Sequence, residues 1–297
     1  VSPLIAVAIS TRDRPHALRR CLASLATGER IPHEVVVADQ SSSEATWEVV
    51  DDAARNGLPA RHVRARPGGL GAAQNDAIRS TTGHIVAVLD DDCVADSRWL
   101  RELSDAFTTD EGLALVAGRV LPLGKPTPNT FPVSSRVSTI ARDFTGKSPP
   151  WDVGSGNNFA VRREWFDRIG GCDERLGPGA RLRGGLDMDL FYRLLRAGGR
   201  ARYEPAAVVL HERVTRQGRL DRRSAYGFGM GAALTLWLRD GDGYAWHVLA
   251  RWAQLRSIQL ARALVRGRLQ GVHEELLVLW GTLAGIMATR AVPLDDR

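Results

Sequence analysis

Asp90-Asp91-Asp92 is the segment of this chain with the clearest capacity for chemistry. It follows His84-Ile85-Val86-Ala87-Val88-Leu89, a run that reads as a buried strand. Side chains two residues apart on an extended segment share a side. The spacing therefore predicts Asp90 and Asp92 aimed one way and Asp91 the other. Like charges held close together are unfavourable unless a cation lies between them. Hard oxygen donors suit magnesium or manganese, and magnesium is typically held by one or two carboxylates together with substrate phosphates. The segment predicts a metal-bound phosphate substrate at a strand end. The competing reading is a solvated acidic loop.

A second pair of carboxylates, Asp187 and Asp189, opens a helical pattern that runs to Arg196. At 100° per residue, Leu190, Phe191, Leu194 and Leu195 form its buried stripe, and Asp187 falls within that stripe. Asp189 falls on the opposite side with Arg193 four residues on, which predicts an ordinary surface ion pair. An inward carboxylate at a helix start is either an N-terminal cap or a chemical group. His211, which ends the last strand-like run, is able to ligate a divalent cation as a neutral imidazole, although a lone His is more often structural.

The elements that must position these groups alternate in type. Strand-like runs at Leu4–Ile9, Glu34–Ala38, Arg61–Ala65 and His84–Leu89 are separated by helical patterns at Arg14–Leu25, at a stretch capped by Ser42 or Ser43 and ending near Arg55, and at one running from the Pro67-Gly68-Gly69-Leu70-Gly71 loop to Ser80. Such alternation implies a parallel sheet covered by helices, with the ligand crevice beyond the carboxyl ends of the strands. Thr11, Asp39, Arg66 and the triple Asp all follow strand ends. A second half starts near Gly112. Residues 122–150 hold six prolines and read as irregular. Phe159–Val161 and Ala201–Leu210 read as strands. From Arg222 to about Thr289 the pattern is helical, broken near Gly241-Asp242-Gly243 and Gly271. The fold class is α/β, a mostly parallel sheet flanked by helices with a C-terminal helical region. The expected division is 1–212 (halves 1–111 and 112–212) and 213–297.

At 297 residues, 44% apolar and 25% charged, the chain has the composition of a folded protein with a sizeable core. Three dispersed cysteines have no metal-ligand spacing and favour a reducing compartment. The opening Val1-Ser2-Pro3 is not a signal segment. The longest strongly apolar run, Leu276–Ala288, would span roughly 20 Å as a helix, short of a bilayer core of roughly 30 Å. These features predict a cytoplasmic protein with no membrane-spanning helix. The net charge of +6 resides wholly in residues 213–297, where 13 arginines face seven acidic residues.

The motifs also occur in a telling order. Ser10-Thr11-Arg12-Asp13-Arg14-Pro15, Val37-Ala38-Asp39-Gln40-Ser41-Ser42, Gly69-Leu70-Gly71-Ala72-Ala73-Gln74-Asn75 and Leu89-Asp90-Asp91-Asp92 are followed by Gly156-Asn157-Asn158-Phe159, Gly170-Gly171-Cys172-Asp173-Glu174-Arg175-Leu176, Gly185-Leu186-Asp187-Met188-Asp189 and Tyr203-Glu204-Pro205. Over about residues 3–212 this resembles a family-two glycosyltransferase of the GT-A fold. The resemblance implies an inverting, hexosyltransferase-type enzyme with a nucleoside-diphosphate sugar donor, UDP-sugar favoured, and a divalent metal, Mn2+ or Mg2+, on the diphosphate. It implies that Thr11 and Arg14 flank the base and ribose and that Asp39 accepts a hydrogen bond from the base. Arg66 and Asn75 would lie near the nucleotide. Asp90 would meet the ribose or sugar, with Asp91 beside it. Asp92 and His211 would serve the metal, and Asp187 would be the general base for an acceptor hydroxyl. The chain departs from the pattern at Leu186, where many relatives carry an acidic residue.

Two rivals remain at this level. A sugar nucleotidyltransferase would need a Gly-rich, basic loop after the first strand, and that place has no glycine. A non-catalytic nucleotide-sugar-binding or scaffold protein is suggested by Leu186. The tail intersperses Trp237, Trp246, Trp252 and Trp280 with arginines. On a helix from Tyr244 to Gln270, Arg251, Arg262 and Arg266 fall within about 60° of one another. The tail reads either as an interfacial helix at an anionic membrane or as helices packed on the catalytic domain or on a second copy. No nucleic-acid recognition motif is present.

Overall fold

The computed structural model describes residues 3–291. The expected domain limits at residues 1 and 297, and the opening Val1-Ser2, lie outside the described residues. The first half is β1 (Ile5–Thr11), α1 (Pro15–Ala26), β2 (Glu34–Asp39), α2 (Ala45–Arg55), β3 (Ala60–Arg64), α3 (Leu70–Ser80) and β4 (Ile85–Leu89). Within it β1, β2, β3 and β4 are parallel and lie in the order β3-β2-β1-β4. The chain leaves β1 to one side for β2 and later fills the other side with β4. The carboxyl ends of β1 and β4 therefore flank a point where the strand order reverses, which is where open α/β sheets bind ligands.

The second half adds β5 (Cys93–Ala95), α4 (Trp99–Thr109), β6 (Leu113–Pro122), β7 (Thr130–Phe131), β8 (Arg142–Phe144), α5 (Pro150–Val153), β9 (Asn158–Arg162), α6 (Arg163–Arg168), α7 (Leu186–Arg196), β10 (Arg200–His211) and β11 (Val214–Thr215). The main sheet continues β4-β9-β6-β10-β5, with β9 antiparallel to both neighbours and β8 on the edge of β10. Segment 122–150 is irregular apart from the very short β7 and β8, as its prolines predict.

Alternation along β1 sorts the core onto two faces. Ile5, Val7 and Ile9 pack with Leu18 and Leu22 of α1 and with Trp99 and Phe107 of α4. Ala8 faces the opposite layer, with Ile78 of α3, Leu190 and Phe191 of α7, and Phe159 of β9. The helix α2 begins at Ala45, later than the expected serine cap, and its N-cap Glu44 makes no side-chain cap bond. Ser41 and Ser42 are engaged elsewhere: Ser41 Oγ bonds Thr46 Oγ1 and Ser42 bonds Asp13 Oδ1.

Three long helices complete the chain, α8 (Arg216–Arg239), α9 (Tyr244–Val265) and α10 (Leu269–Arg290). The second break falls at 266–268 and not at Gly271, which sits inside α10. The helices α8 and α10 cross in close backbone contact. A Cβ on Gly227 or Gly231 would lie 2.1 or 2.0 Å from a carbonyl oxygen of α10, and one on Gly285 2.1 Å from that of Phe228. Only glycine fits those positions. Helix α8 also meets the start of α7, where Gly185 has φ +82° and a Cβ would lie 2.4 Å from Gly229 O. The helical tail is thereby set against the helix that carries Asp187.

Candidate active site

Asp90–Asp92 form a turn between β4 and β5, closed by the Cys93 N–H donating to Asp90 O at 3.1 Å. Strand alternation does not persist through it, so the expectation that Asp91 points away from Asp92 is corrected. Asp91 and Asp92 instead share Arg14, whose Nη1 donates to Asp91 Oδ1 at 3.0 Å and to Asp92 Oδ2 at 3.2 Å. Thr11 Oγ1 donates to Asp91 Oδ2 at 2.7 Å. Burial would lower the Arg14 pKa, but the three aspartates override it and raise it. Asp91 is pushed up by burial despite Arg14 and Thr11. Asp90 is raised well above the usual carboxylate range by burial and then by Asp92 and Asp91, with Arg14 and Arg222 opposing. It lines a cavity of 140 Å³ that Gly156 and Asp187 also line.

Asp92 Oδ1 is buried and has no hydrogen-bond partner. It faces His211 Nε2 at 3.5 Å. Antiparallel pairing of β10 with β5, which sets His211 opposite Cys93, brings these sequence-distant groups together. His211 Nδ1 lies 2.7 Å from Glu212 O. A carbonyl only accepts, so that nitrogen carries the proton. Burial lowers the His211 pKa, with Asp92 opposing. A neutral ring with its proton on Nδ1 presents a lone pair at Nε2. Two buried acceptors thus confront each other, an arrangement that a cation satisfies. This donor set fits a divalent metal held by Asp92 and His211. Cys93 also falls in the cluster, with the ligand atoms of the three residues within 4.8 Å of one another. Its thiol is pushed far up by burial and the neighbouring aspartates. A protonated sulfur is a poor ligand for a hard cation.

Along the same strand ends, Thr11 is the register partner of Asp39. Asp39 is buried, and its Oδ1 accepts from the Ser41 N–H at 2.7 Å. Its Oδ2 lies 2.9 Å from His62 Nε2. His62 was not foreseen, because its strand was read for apolar pattern alone. Asp39, Trp47, His62 and Arg64 line a cavity of 410 Å³.

Two residues expected near the nucleotide are engaged with the chain itself. Arg66 donates to both Asp76 and Glu174, which tie it to α3 and to the segment after Gly171. Asn75 is 1% exposed; its amide donates to Cys172 O and Glu174 Oε1, and its oxygen accepts from the Cys172 N–H. Both are committed within the chain.

Asp187 opens α7 at the second helical position, after Gly185 as N-cap. Its Oδ2 accepts from the Gly156 N–H at 3.0 Å and its Oδ1 from the Met188 N–H at 3.0 Å. A Cβ on residue 156 would lie 2.9 Å from Asp187 Cβ, so glycine permits this approach. Burial raises the Asp187 pKa, with the Gly156, Met188 and Asp187 N–H groups opposing. Such a carboxylate is a stronger base than a solvated one. Leu186 is buried, in contact distance of Gly71 and Gly177, and adds core at this point.

Asp189 corrects the expectation of a surface pair. It is 2% exposed, accepts from Arg193 Nε at 2.8 Å and Nη2 at 2.6 Å, and accepts from Trp237 Nε1 at 2.9 Å. The ion pair is present, but α8 covers it. A second cavity beside Asp187, 480 Å³, is lined by arginines and by Trp151 and Tyr226. These residues were missed as a site. The spacing of Arg219, Arg222, Arg223 and Tyr226 on one helical face was the available signal.

A family model described as glycosyl transferase family 2 matches residues 6–170. A pre-mycofactocin glycosyltransferase of Mycobacterium tuberculosis is 28% identical over 275 residues, covering 89% of this chain and 54% of that protein. The chain spans about half the length of that relative. A mannosyltransferase from Pyrobaculum calidifontis, solved with GDP-Man and Mn2+, has the same fold at TM-score 0.66 and 18% identity, over 96% of this chain and 88% of that one. Residues 1–349 of S. aureus TarS, solved with UDP, superpose at TM-score 0.56 and 17% identity, over 96% and 89%.

Proposed function

The chain belongs to glycosyl transferase family 2, and from that premise we propose that it is a metal-dependent inverting glycosyltransferase. It moves a sugar from a nucleoside-diphosphate sugar to an acceptor hydroxyl in cell-envelope glycan, glycolipid or natural-product biosynthesis. The observation that carries this reading is the pair of buried acceptors, Asp92 Oδ1 and His211 Nε2, facing each other at 3.5 Å in the crevice at the ends of β1 and β4. Mn2+ or Mg2+ bound there supplies positive charge for the donor diphosphate. In this reading the triple Asp is the family's metal and donor motif.

Thr11 and Arg14 hold Asp91 and Asp92 in place and border the nucleoside. Asp39, oriented by Ser41 and His62, meets the base. Asp90 meets the ribose or sugar. Asp187 takes the proton of the acceptor hydroxyl as its oxygen forms a bond to the anomeric carbon. The bond from that carbon to the diphosphate oxygen breaks, and its electron pair leaves with the nucleoside diphosphate. UDP is the favoured nucleotide, in keeping with the UDP held by TarS.

The proposed location is cytoplasmic, with peripheral attachment at the inner face of an anionic membrane. No helix among the described residues is long and apolar enough to cross a membrane. Helix α10 exposes Leu276, Trp280, Leu283 and Met287 at helical spacing, and Arg251 and Arg262 of α9 and Arg266 at its C-cap are exposed. Flotation with anionic vesicles that weakens with salt supports attachment; a salt-insensitive dimer in sedimentation supports association between copies of α10 instead. The functional reading itself is tested by incubating the chain with a panel of nucleotide sugars and Mn2+. Release of nucleoside diphosphate that a chelator abolishes is expected. Release unaffected by the chelator would overturn the metal-dependent reading.

A further inference from the structure

The 480 Å³ cavity beside Asp187 is lined by Arg136, Arg219, Arg222, Arg223 and Arg256, and its size is that of a small-molecule site. The carboxylates within reach are Asp187 on its wall, Glu274 and Glu275 behind it, and Asp90, on which Arg222 acts, which leaves one positive charge unmatched. Glu274 is bound by Arg219, at 2.8 Å through both Nε and Nη2. Glu275 is shared by Arg223 and Arg256. Arg222 is exposed on the cavity wall and makes no ion pair within 4 Å among the described residues, although Asp90 and His211 feel its charge. Arg136 donates to the carbonyl of Asp152 and lies over the Tyr203 ring.

The buried part of this cluster is incompletely satisfied. Nε of Arg223 and Nε of Arg256 are both buried without a hydrogen-bond partner, and the Arg256 side chain is only 9% exposed. Burying a guanidinium short of partners is unfavourable. Tyr226 lies among Arg136, Arg223, Arg256 and Asp187, all of which act on its phenol electrostatically. Trp151 and Met188 add apolar wall. The cavity thus pairs a flat aromatic surface with planar forked donors, the chemistry that suits a ring carrying an oxyanion. Asp187 also lines the smaller cavity that holds Asp90, so it stands between the two spaces.

We propose that this cavity is the acceptor subsite and that it selects an acceptor bearing a phosphate ester next to the ring whose hydroxyl reaches Asp187. The inference rests on the glycosyltransferase reading and names the acceptor class. The phosphate is borne either by a soluble sugar phosphate or by a lipid headgroup.

The test uses the full chain saturated with UDP and Mn2+, so that the donor end is filled. Glucose and glucose 1-phosphate are titrated by ligand-observed NMR, and vesicles of phosphatidylinositol in phosphatidylcholine form the lipid arm, with phosphatidylglycerol vesicles as the charge control. Glucose 1-phosphate should bind at least tenfold more tightly than glucose, or the chain should prefer phosphatidylinositol to phosphatidylglycerol vesicles at equal charge; the stronger arm identifies the source. Arg136→Gln and Arg222→Gln should each reduce that preference severalfold. The paired change Arg256→Gln with Glu275→Gln removes the buried Arg256 N–H donors at unchanged net charge, so it should also reduce the preference, with Arg223 still paired to Glu274. Equal binding of the phosphorylated and plain probes in both arms, or a preference that survives in all three variants, would overturn the inference. If UDP and Mn2+ bind but no phosphate preference is found, only this inference falls. If neither UDP nor GDP binds with Mn2+, the underlying reading falls with it.

Discussion

The two ends of the crevice are built from opposite deficits. At the Asp90–Asp92 turn, carboxylates and an imidazole outnumber the cations, and the buried Asp92 Oδ1 faces His211 Nε2 at 3.5 Å. At the Asp187 end, five arginines line one cavity and two of them keep a buried Nε–H with no hydrogen bond, that of Arg223 lying 3.7 Å from Glu274. A protein optimised for stability alone would pair such groups internally. The contrast assigns a cation to one end and an anion to the other. Asp187 lies at their junction, with enough backbone donors to fix its direction and enough burial to raise its basicity.

The largest effect that would sharpen this comparison is at the junction. Asp187→Asn should lower turnover by about a hundredfold or more, the scale of a lost general base, while the fold is retained. Steady-state rates with a competent acceptor check this, and near-normal turnover would break the assignment. The same variant carries a linkage signature. The folded-state pKa of Asp187 is raised, so its carboxyl favours folding in acid, and that contribution is lost as pH rises through the folded pKa. Relative to wild type, Asp187→Asn should therefore fare better near neutral pH than below the usual aspartate pKa, on top of a pH-independent cost because its amide nitrogen faces one of the Gly156 and Met188 N–H donors. Denaturant midpoints across pH measure it.

Asp189, two residues on, should behave in the opposite way. Asp189→Asn leaves the mostly buried Arg193 without its counter-charge, at a cost of about 3 kcal/mol. A shift in the urea midpoint checks this, and the folded fraction should keep its Mn2+-dependent donor affinity.

That pair also shows what was legible in the sequence. The 3.6-residue period placed Asp187 inward and found the Asp189–Arg193 partnership. It gave no sign that α8 would cover the partnership, because Trp237 arrives from a helix nearly fifty residues away. The alternation of β1 to β4 with α1 to α3 was readable because each element carries its own apolar period. The turn at Asp90–Asp92 was not, because period-two reasoning assumes an extended backbone that ends at Leu89. The meeting of Asp92 with His211 depends on the β5–β10 pairing, and the arginine cavity depends on α8, α9 and segment 132–136 coming together. Both are tertiary facts with no local signature.

Away from both ends, effects should shrink. The pH dependence of turnover should show activity falling as pH drops through the raised Asp187 pKa, because only the ionised carboxylate accepts the acceptor proton; a rate flat down to the usual aspartate range would exclude Asp187 as base. Smallest of all, Arg66→Gln removes exposed ion pairs to Asp76 and Glu174. It should cost less than about 1 kcal/mol and change UDP affinity less than about twofold, by calorimetry.

The most direct test of the account compares UDP binding by calorimetry, in Mn2+ and in excess chelator, for wild type, Asp92→Asn and Asp187→Asn. The account predicts that affinity in wild type depends on Mn2+, that Asp92→Asn loses the dependence, and that Asp187→Asn retains it. Equal wild-type affinity with Mn2+ and with chelator, or an Asp187→Asn variant as weak as Asp92→Asn, would contradict the division of the crevice into a cation-holding donor end and a separate end for the acceptor.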